Sequence, residues 1–119
     1  MRDVVLVTAD SVRYDFAGEL PFVDSLDPLL GITAGHYTRP SLGGLHSARL
    51  TGSIRSKAVS PTIAEVFADA GYTCLGVAAT AQADPAFDFD AGFDHYDNFM
   101  DGGGNAVENR RSSLREYLG

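Results

Sequence analysis

The sequence predicts an α/β fold with a mainly parallel sheet. Two short apolar runs, residues 3–9 ("DVVLVTA") and 73–79 ("TCLGVAA"), have the length and composition of strands that are buried on both faces. The segment "TIAEVFADA" places apolar residues at helical spacing and directly precedes the second run. A helix followed by a buried strand is the repeating unit of α/β proteins. We therefore expect parallel strands over residues 3–9 and 73–79.

The helix before the second strand carries start and stop signals. Ser60 and Pro61 suit the N-cap and the first helical position, because proline needs no N–H there. Gly71 lies where a C-terminal cap in the left-handed conformation is expected. The helix is thus predicted between these two signals.

The remaining segments predict shorter or less regular elements. Residues 21–30 predict a short helix broken by Pro28, and residues 41–50 predict a helix despite two glycines. Residues 83–104 are acidic and rich in turn-forming residues, which predicts an extended loop. Residues 105–119 predict a further helix.

The composition bounds the class of protein. Residues 1–119 are the length of one domain, and an apolar fraction of 45% indicates a folded chain. The chain has sixteen acidic residues, twelve of them Asp, and nine basic residues, which gives a net charge of −7. Lys57 is its only lysine. Such a surface is typical of a halophilic protein that stays dissolved in concentrated salt. It argues against nucleic acid as a partner, since nonspecific binding to nucleic acid needs a basic patch.

Two further features concern compartment and thiol chemistry. Cys74 lies within the second apolar run and has no second cysteine to pair with, so a buried core thiol is predicted. The apolar run over residues 3–9 is too short for a membrane span and is not followed by a signal-peptide cleavage region. We therefore expect a cytoplasmic protein without a membrane partner.

Asp10 closes the first predicted strand. Ligands gather at the carboxyl ends of the strands in open parallel sheets, and a hard divalent cation prefers carboxylate oxygen. Asp10 is therefore a candidate metal ligand. The alternative is that it serves only as a turn or helix-cap residue.

Thr38 precedes Pro40 and Ser41 in "GHYTRPS", where a helix is expected to begin. Free N–H groups in the first turn, together with the helix dipole, could hold a phosphate or sulfate there. A threonine hydroxyl becomes a nucleophile once a base or a metal lowers its pKa. The alternative is that Thr38 only caps the helix.

Four segments in order resemble a known family. They are "VVLVTADSVRYD", "TRPSLGGLHSA", "SPTIAEVFADAGYTCLGVAAT" and "GFDHYDNF". Together they are similar to the N-terminal part of the sulfatase-like branch of the alkaline phosphatase superfamily, and they span nearly the whole chain. The resemblance implies a three-layer sandwich around a mainly parallel sheet, and a domain that is incomplete at its C-terminus.

The resemblance also implies roles for the two candidate residues. Thr38 would be the catalytic nucleophile and a metal ligand, and Asp10 would be a metal ligand. The cofactors would be divalent cations, zinc or manganese ahead of calcium or magnesium. The substrate would be a phosphate ester or, second to that, a sulfate ester.

Three departures from the family pattern favour phosphate over sulfate. Sulfatases carry Cys or Ser at the nucleophile position, whereas this chain has Thr38. They also carry an arginine where this chain has Leu42. Asp10 followed by Ser11, in place of two acids, points toward the phosphodiesterase, phosphatase and phosphotransferase members.

A fourth departure concerns the remaining metal ligands. In the family these are Asp and His residues of later segments, which would lie beyond residue 119, so about half of an active site is expected here. The other groups that could supply ligands are Asp15, Asp94, His95 and Asp97. Two hypotheses follow: part of a metal-dependent hydrolase, or a non-catalytic homologue that serves as a binding or assembly module. The sequence leaves homo-oligomer formation open.

Overall fold

The structure is a computed structural model that describes residues 2–27, 29–49 and 57–100. The chain divides into two compact units, Met1–Thr33 and Ala34–Gly119. The predicted helix over residues 105–119 lies outside the described residues.

The first unit contains two short helices. A 3-10 helix covers Tyr14–Glu19, and α1 covers Pro21–Asp24 with Pro21 in the first turn. The predicted helix over residues 21–30 is therefore confirmed only for its first turn. Proline favours this position because its missing N–H would have no partner there.

The predicted strand over residues 3–9 is wrong, since residues 2–9 have no regular secondary structure. Val5 and Val7 are 85% and 81% exposed. An apolar run forms a strand only when a neighbouring strand pairs with its backbone, and an isolated strand leaves those hydrogen bonds to water. The apolar composition of residues 3–9 alone therefore does not make a strand. Among the described strands, none pairs with this segment.

In the second unit, α2 covers Thr38–Ser47, so it begins three residues before the predicted segment 41–50. Gly44 is buried in this helix, and a Cβ added to it would overlap the methyl group of Ala34. The glycine therefore permits a close approach of the preceding loop, and this contact explains why a helix tolerates it despite its low propensity.

Helix α3 covers Ile63–Asp69. Its N-cap is Thr62, whose hydroxyl accepts a hydrogen bond from Glu65 N–H, while the Glu65 carboxylate accepts one from Thr62 N–H. The predicted N-cap at Ser60 is wrong because this reciprocal pair, a capping box, starts the helix two residues later. The predicted C-terminal glycine is confirmed: Gly71 has a positive φ of 87°.

The described sheet has two parallel strands, β1 over Leu75–Ala78 and β2 over His95–Asn98. The predicted second strand is therefore confirmed as β1. The predicted loop over residues 83–104 is wrong in part, because it contains β2 and the 3-10 helix Pro85–Phe87. The segment "HYDN" has no apolar run, so its strand depends on the pairing with β1.

The core of the second unit lies on one face of this sheet. Four buried side chains form it, and Leu42 of α2 and Tyr96 of β2 pack against it; the four are Ala58, Ala78, Ala83 and Phe89. Cys74 is buried and its thiol lies against α3, as predicted for a core cysteine. On the opposite face Val77 is 54% exposed. The described residues of the second unit therefore form an α/β unit around a two-stranded parallel sheet.

Candidate functional site

Thr38 is the first residue of α2. The N-cap is Tyr37, which has an extended backbone with φ −150° and whose side chain makes no capping hydrogen bond. Tyr37 therefore occupies the N-cap position, and Thr38 occupies the first helical position after it. Thr38 is half-buried in the first turn of this ten-residue helix, and its role as an attacking hydroxyl stays a prediction.

The first turn of α2 has fewer N–H donors than the sequence predicted. Pro40 is the third helical residue instead of the first, so it removes a donor from within the turn. The N–H of Ser41 donates a hydrogen bond to the Tyr37 carbonyl oxygen, with 3.3 Å between the two atoms. The Ser41 hydroxyl lies 2.8 Å from the carbonyl oxygen of Gly35 and holds the preceding loop against the helix. An anion at this helix start would therefore need donors from side chains as well.

Arg39 is a feature of the site that sequence reasoning missed. Its guanidinium carbon lies 3.5 Å from the centre of the Phe87 ring, and its Nε atom is buried without a hydrogen-bond partner. The signal in the sequence was an arginine directly after Thr38 in a chain with few bases. The ring beneath it lies 48 residues further along and is found only from the fold.

Helix α2 packs against the 3-10 helix Ala81–Ala83, which follows the end of β1 by two residues. Leu42 contacts the core that contains Ala83, and Arg39 stacks on Phe87 a few residues further on. The N-terminal half of α2 thus lies beside the segment that leaves the carboxyl end of β1. Ligand sites of open parallel sheets occur at such strand ends.

Asp10 lies in the first unit, in a turn, and it is exposed. The Ser11 hydroxyl lies 3.4 Å from its Oδ1 atom. The strand that Asp10 was expected to close is not formed. Because Asp10 and Thr38 belong to different units, their predicted approach through one cation stays a prediction.

The described residues do not by themselves fit a divalent cation. Across residues 2–27, 29–49 and 57–100, no three His, Cys, Asp or Glu side chains come together in a group that could hold a metal. Asp10 and Thr38 would supply two ligands, whereas such cations take about four to eight.

Two of the further acidic groups that could have been ligands have structural partners. Asp15 forms an ion pair with Arg13, with the two atoms 2.6 Å apart. Asp94 accepts a hydrogen bond of 2.7 Å from the N–H of Cys74 and so fixes the entry to β1. His95 and Asp97 both lie in β2, and Asp97 is buried.

His46 lies near the other end of α2 and has a packing role. Its ring stacks against the rings of Phe89 and Phe93, and its Nε2 atom is 3.1 Å from the Phe89 carbonyl oxygen. Burial lowers the pKa of His46, although the hydrogen bond and the charge of Glu65 oppose this effect. A shallow groove of about 280 Å³ begins beside His46 and is lined mainly by apolar side chains of α2 and α3. It lies away from Thr38, at the C-terminal end of α2.

The side chain of Tyr96 connects β2 to the 3-10 helix Ala81–Ala83, and the titration of its phenol tests this contact. Its hydroxyl donates to the Ala83 carbonyl at 2.7 Å. Burial, with smaller contributions from the charges of Asp90 and Asp84, raises the pKa of Tyr96 to about 12. In the unfolded chain the phenol ionises near pH 10. The stabilisation from neutral Tyr96 is therefore complete below about pH 10 and is lost as the pH rises toward 12.

We expect a Tyr96→Phe variant to lack one component of the tyrosinate absorbance titration, the one that ionises near pH 12 in the native protein. The free energy of unfolding should also fall less steeply between about pH 10 and 12 in the variant than in the wild type. The measurements are a spectrophotometric titration and urea unfolding at several pH values. If the component that the variant lacks ionises near pH 10, as an exposed tyrosine does, the result would contradict the buried hydrogen bond of Tyr96.

No protein family, curated protein or solved structure that was compared with the chain matches it. The resemblance to the sulfatase-like branch therefore stays a prediction that depends on the motif order. Among the described helices, none combines the length and the apolar composition that a membrane crossing requires.

Proposed function

We propose that this chain is part of a hydrolase of the sulfatase-like branch of the alkaline phosphatase superfamily. Its substrate class is phosphate esters, and its nucleophile is the hydroxyl of Thr38. The full domain is proposed to be a three-layer sandwich around a parallel sheet, of which the described residues form an α/β unit with two strands. A cytoplasmic location belongs to the same proposal.

The observation that supports this function best is the position of Thr38. It is the first residue of α2, and the N-terminal half of this helix lies beside the segment that leaves the carboxyl end of β1. A helix start favours a developing negative charge, and a strand end of this kind is where α/β enzymes bind ligands. The sequence resemblance assigns the nucleophile to the same residue independently of this geometry.

The chemistry assigned to Thr38 is a two-step displacement at phosphorus. The Oγ1 atom forms a bond to phosphorus, the bond from phosphorus to the leaving alkoxide breaks, and the hydroxyl proton passes to the solvent or the departing oxygen. Water then attacks phosphorus, the bond between phosphorus and Oγ1 breaks, the phosphate product leaves, and a proton from the attacking water restores the Thr38 hydroxyl. The resemblance implies divalent cations, which lower the pKa of a hydroxyl that they bind. The described residues offer too few ligands for a cation, so the two steps are written for the Thr38 hydroxyl alone.

Leu42 supports phosphate over sulfate as the substrate class. The family's sulfatases have an arginine at this position, whereas Leu42 packs against the core around Ala58 and Ala83. The side chain at this position therefore faces apolar groups. A cationic group for the substrate has to come from another residue of the site.

The test is a pair of assays on the natural full-length protein, with manganese or zinc added and with EDTA as the control. Bis-p-nitrophenyl phosphate and p-nitrophenyl sulfate are compared at equal concentration. We expect the phosphodiester to be cleaved preferentially and the residues 1–119 alone to turn over very little of it. Preferential cleavage of the sulfate would overturn the substrate class. Absence of turnover with both would favour the non-catalytic binding module.

A further inference from the structure

Arg39 carries a half-buried charge with an unusual set of contacts. Its guanidinium lies over the Phe87 ring at 3.5 Å, and its Nε atom is buried and has no hydrogen-bond partner. Guanidinium has five N–H donors and no acceptor, so its stable environments supply acceptor oxygens. A ring face attracts the cation but accepts none of these hydrogen bonds in the plane of the group. The ring therefore satisfies none of the in-plane donors, and the N–H at Nε is one donor that has no partner in this structure.

The carboxylates that neighbour Phe87 in the sequence have other partners. Asp84 accepts a hydrogen bond of 2.7 Å from Ala86 N–H and begins the 3-10 helix. Asp88 pairs with Lys57 at 3.2 Å. Neither ion pair found among the described residues includes Arg39. Arg39 therefore has no carboxylate partner among the residues that the structure describes.

A second buried polar atom lies on the other side of Thr38 in the sequence. The hydroxyl of Tyr37 is buried and has no hydrogen-bond partner. Buried polar groups in folded proteins almost always have a partner, so each exception needs a cause. Both groups belong to residues that adjoin Thr38 in the sequence, at the helix start where the dipole favours an anion.

We propose that Arg39 is the phosphate-binding residue of this site. Its guanidinium, oriented by the Phe87 ring, donates paired hydrogen bonds to two oxygens of a phosphoryl group beside Thr38. This geometry matches the fork of an arginine to the spacing of phosphate oxygens. Arg39 thus supplies the cationic group that Leu42 does not provide. The inference rests on the proposed function for the role of Thr38, but phosphate binding itself can be measured without turnover.

The experiment is a titration of the 119-residue chain with inorganic phosphate. Isothermal titration calorimetry and phosphorus NMR measure the binding. We expect Arg39→Gln to weaken phosphate binding about tenfold or more, as the loss of a charge-assisted bidentate contact does. Arg49→Gln is the matched control, because it removes the same charge from an exposed residue just beyond the other end of α2. It should change the affinity by less than about twofold.

Two further variants keep the proposal testable if Arg39→Gln does not fold, which circular dichroism would reveal. Phe87→Leu removes the ring beneath the guanidinium and keeps the charge, and it should weaken binding by a smaller factor than Arg39→Gln. Arg39→Lys keeps the charge but lacks the fork, and it should also bind more weakly than the wild type. Equal losses in Arg39→Gln and Arg49→Gln would overturn the proposal, as would an unchanged affinity in Arg39→Lys or no binding by the wild type.

The outcomes separate this inference from the proposed function. Phosphate binding that depends on Arg39 in a protein without turnover would support the inference and overturn the function. Turnover of the phosphodiester together with an unchanged phosphate affinity in Arg39→Gln would support the proposed function and overturn the inference about Arg39. Thr38→Val should keep phosphate binding, since it removes the attacking hydroxyl and leaves the guanidinium in place.

Discussion

Replacing Thr38 with alanine is expected to lower kcat/KM of the full-length protein toward a phosphodiester by a factor of roughly 10³ or more. The physical reason is that the first step forms a bond to the Thr38 oxygen, and alanine has no atom that can take its place. Thr38 is not the capping residue of α2, so its loss should change the free energy of unfolding by less than about 1 kcal/mol. Steady-state kinetics and thermal unfolding measure the two effects separately.

Two matched variants sharpen this test. Thr38→Ser keeps the hydroxyl and should retain part of the activity. Ser41→Ala removes another hydroxyl from the same helix, one that lies 2.8 Å from the Gly35 carbonyl oxygen. It should cost about 1 kcal/mol of stability and leave kcat/KM close to the wild-type value at a temperature where the protein is folded. Full activity in Thr38→Ala would contradict a threonine nucleophile.

Replacing Gly92 with alanine is expected to destabilise the second unit by at least about 2 kcal/mol. Gly92 has a φ of 89°, a backbone conformation that costs any residue with a Cβ atom. The added Cβ would also overlap the backbone nitrogen of Glu65 and lie 2.8 Å from the carbonyl carbon of Ala64. These atoms belong to the first turn of α3, whose N-cap Thr62 donates its hydroxyl to the Ala91 carbonyl at 2.7 Å. The variant would therefore separate α3 from the loop that leads into β2.

Gly18→Ala is the control for Gly92→Ala. A Cβ added at Gly18 meets no atom within 4 Å, so this change should alter the free energy of unfolding by less than about 0.5 kcal/mol. Urea unfolding monitored by circular dichroism measures both variants. A Gly92→Ala protein as stable as the wild type would show that the contact between the 91–92 turn and α3 does not contribute to the fold.

Much of the second unit could be predicted because its signals are local. In α3 and β1 the apolar spacing, the glycine after the helix and the buried cysteine all agree with the structure. Such features depend on side chains within a few residues of each other, so a short window of sequence contains them. The start of α3 was misplaced by two residues because both Ser60 and Thr62 have the right chemistry for an N-cap. The capping box with Glu65 decided between them.

The candidate site was predicted only in part. Thr38 was identified from its position before a helix, and the structure places it in the first helical turn. The number of free N–H donors was misjudged, since Pro40 lies inside the turn instead of at its start. Arg39 was overlooked because its importance depends on Phe87, and no local pattern relates an arginine to a ring 48 residues away.

The sequence by itself determined the α/β class, the helix–strand unit of α3 and β1, the acidic character and the hydroxyl at the start of α2. Each of these follows from composition or from contacts along one short stretch of backbone. Tertiary structure alone decided that the polar segment "HYDN" forms β2, that the apolar run over residues 3–9 forms no strand, and that Arg39 stacks on Phe87. The reason is physical: strand formation requires hydrogen bonds from a neighbouring strand, and the environment of a charge is set by groups from distant parts of the chain.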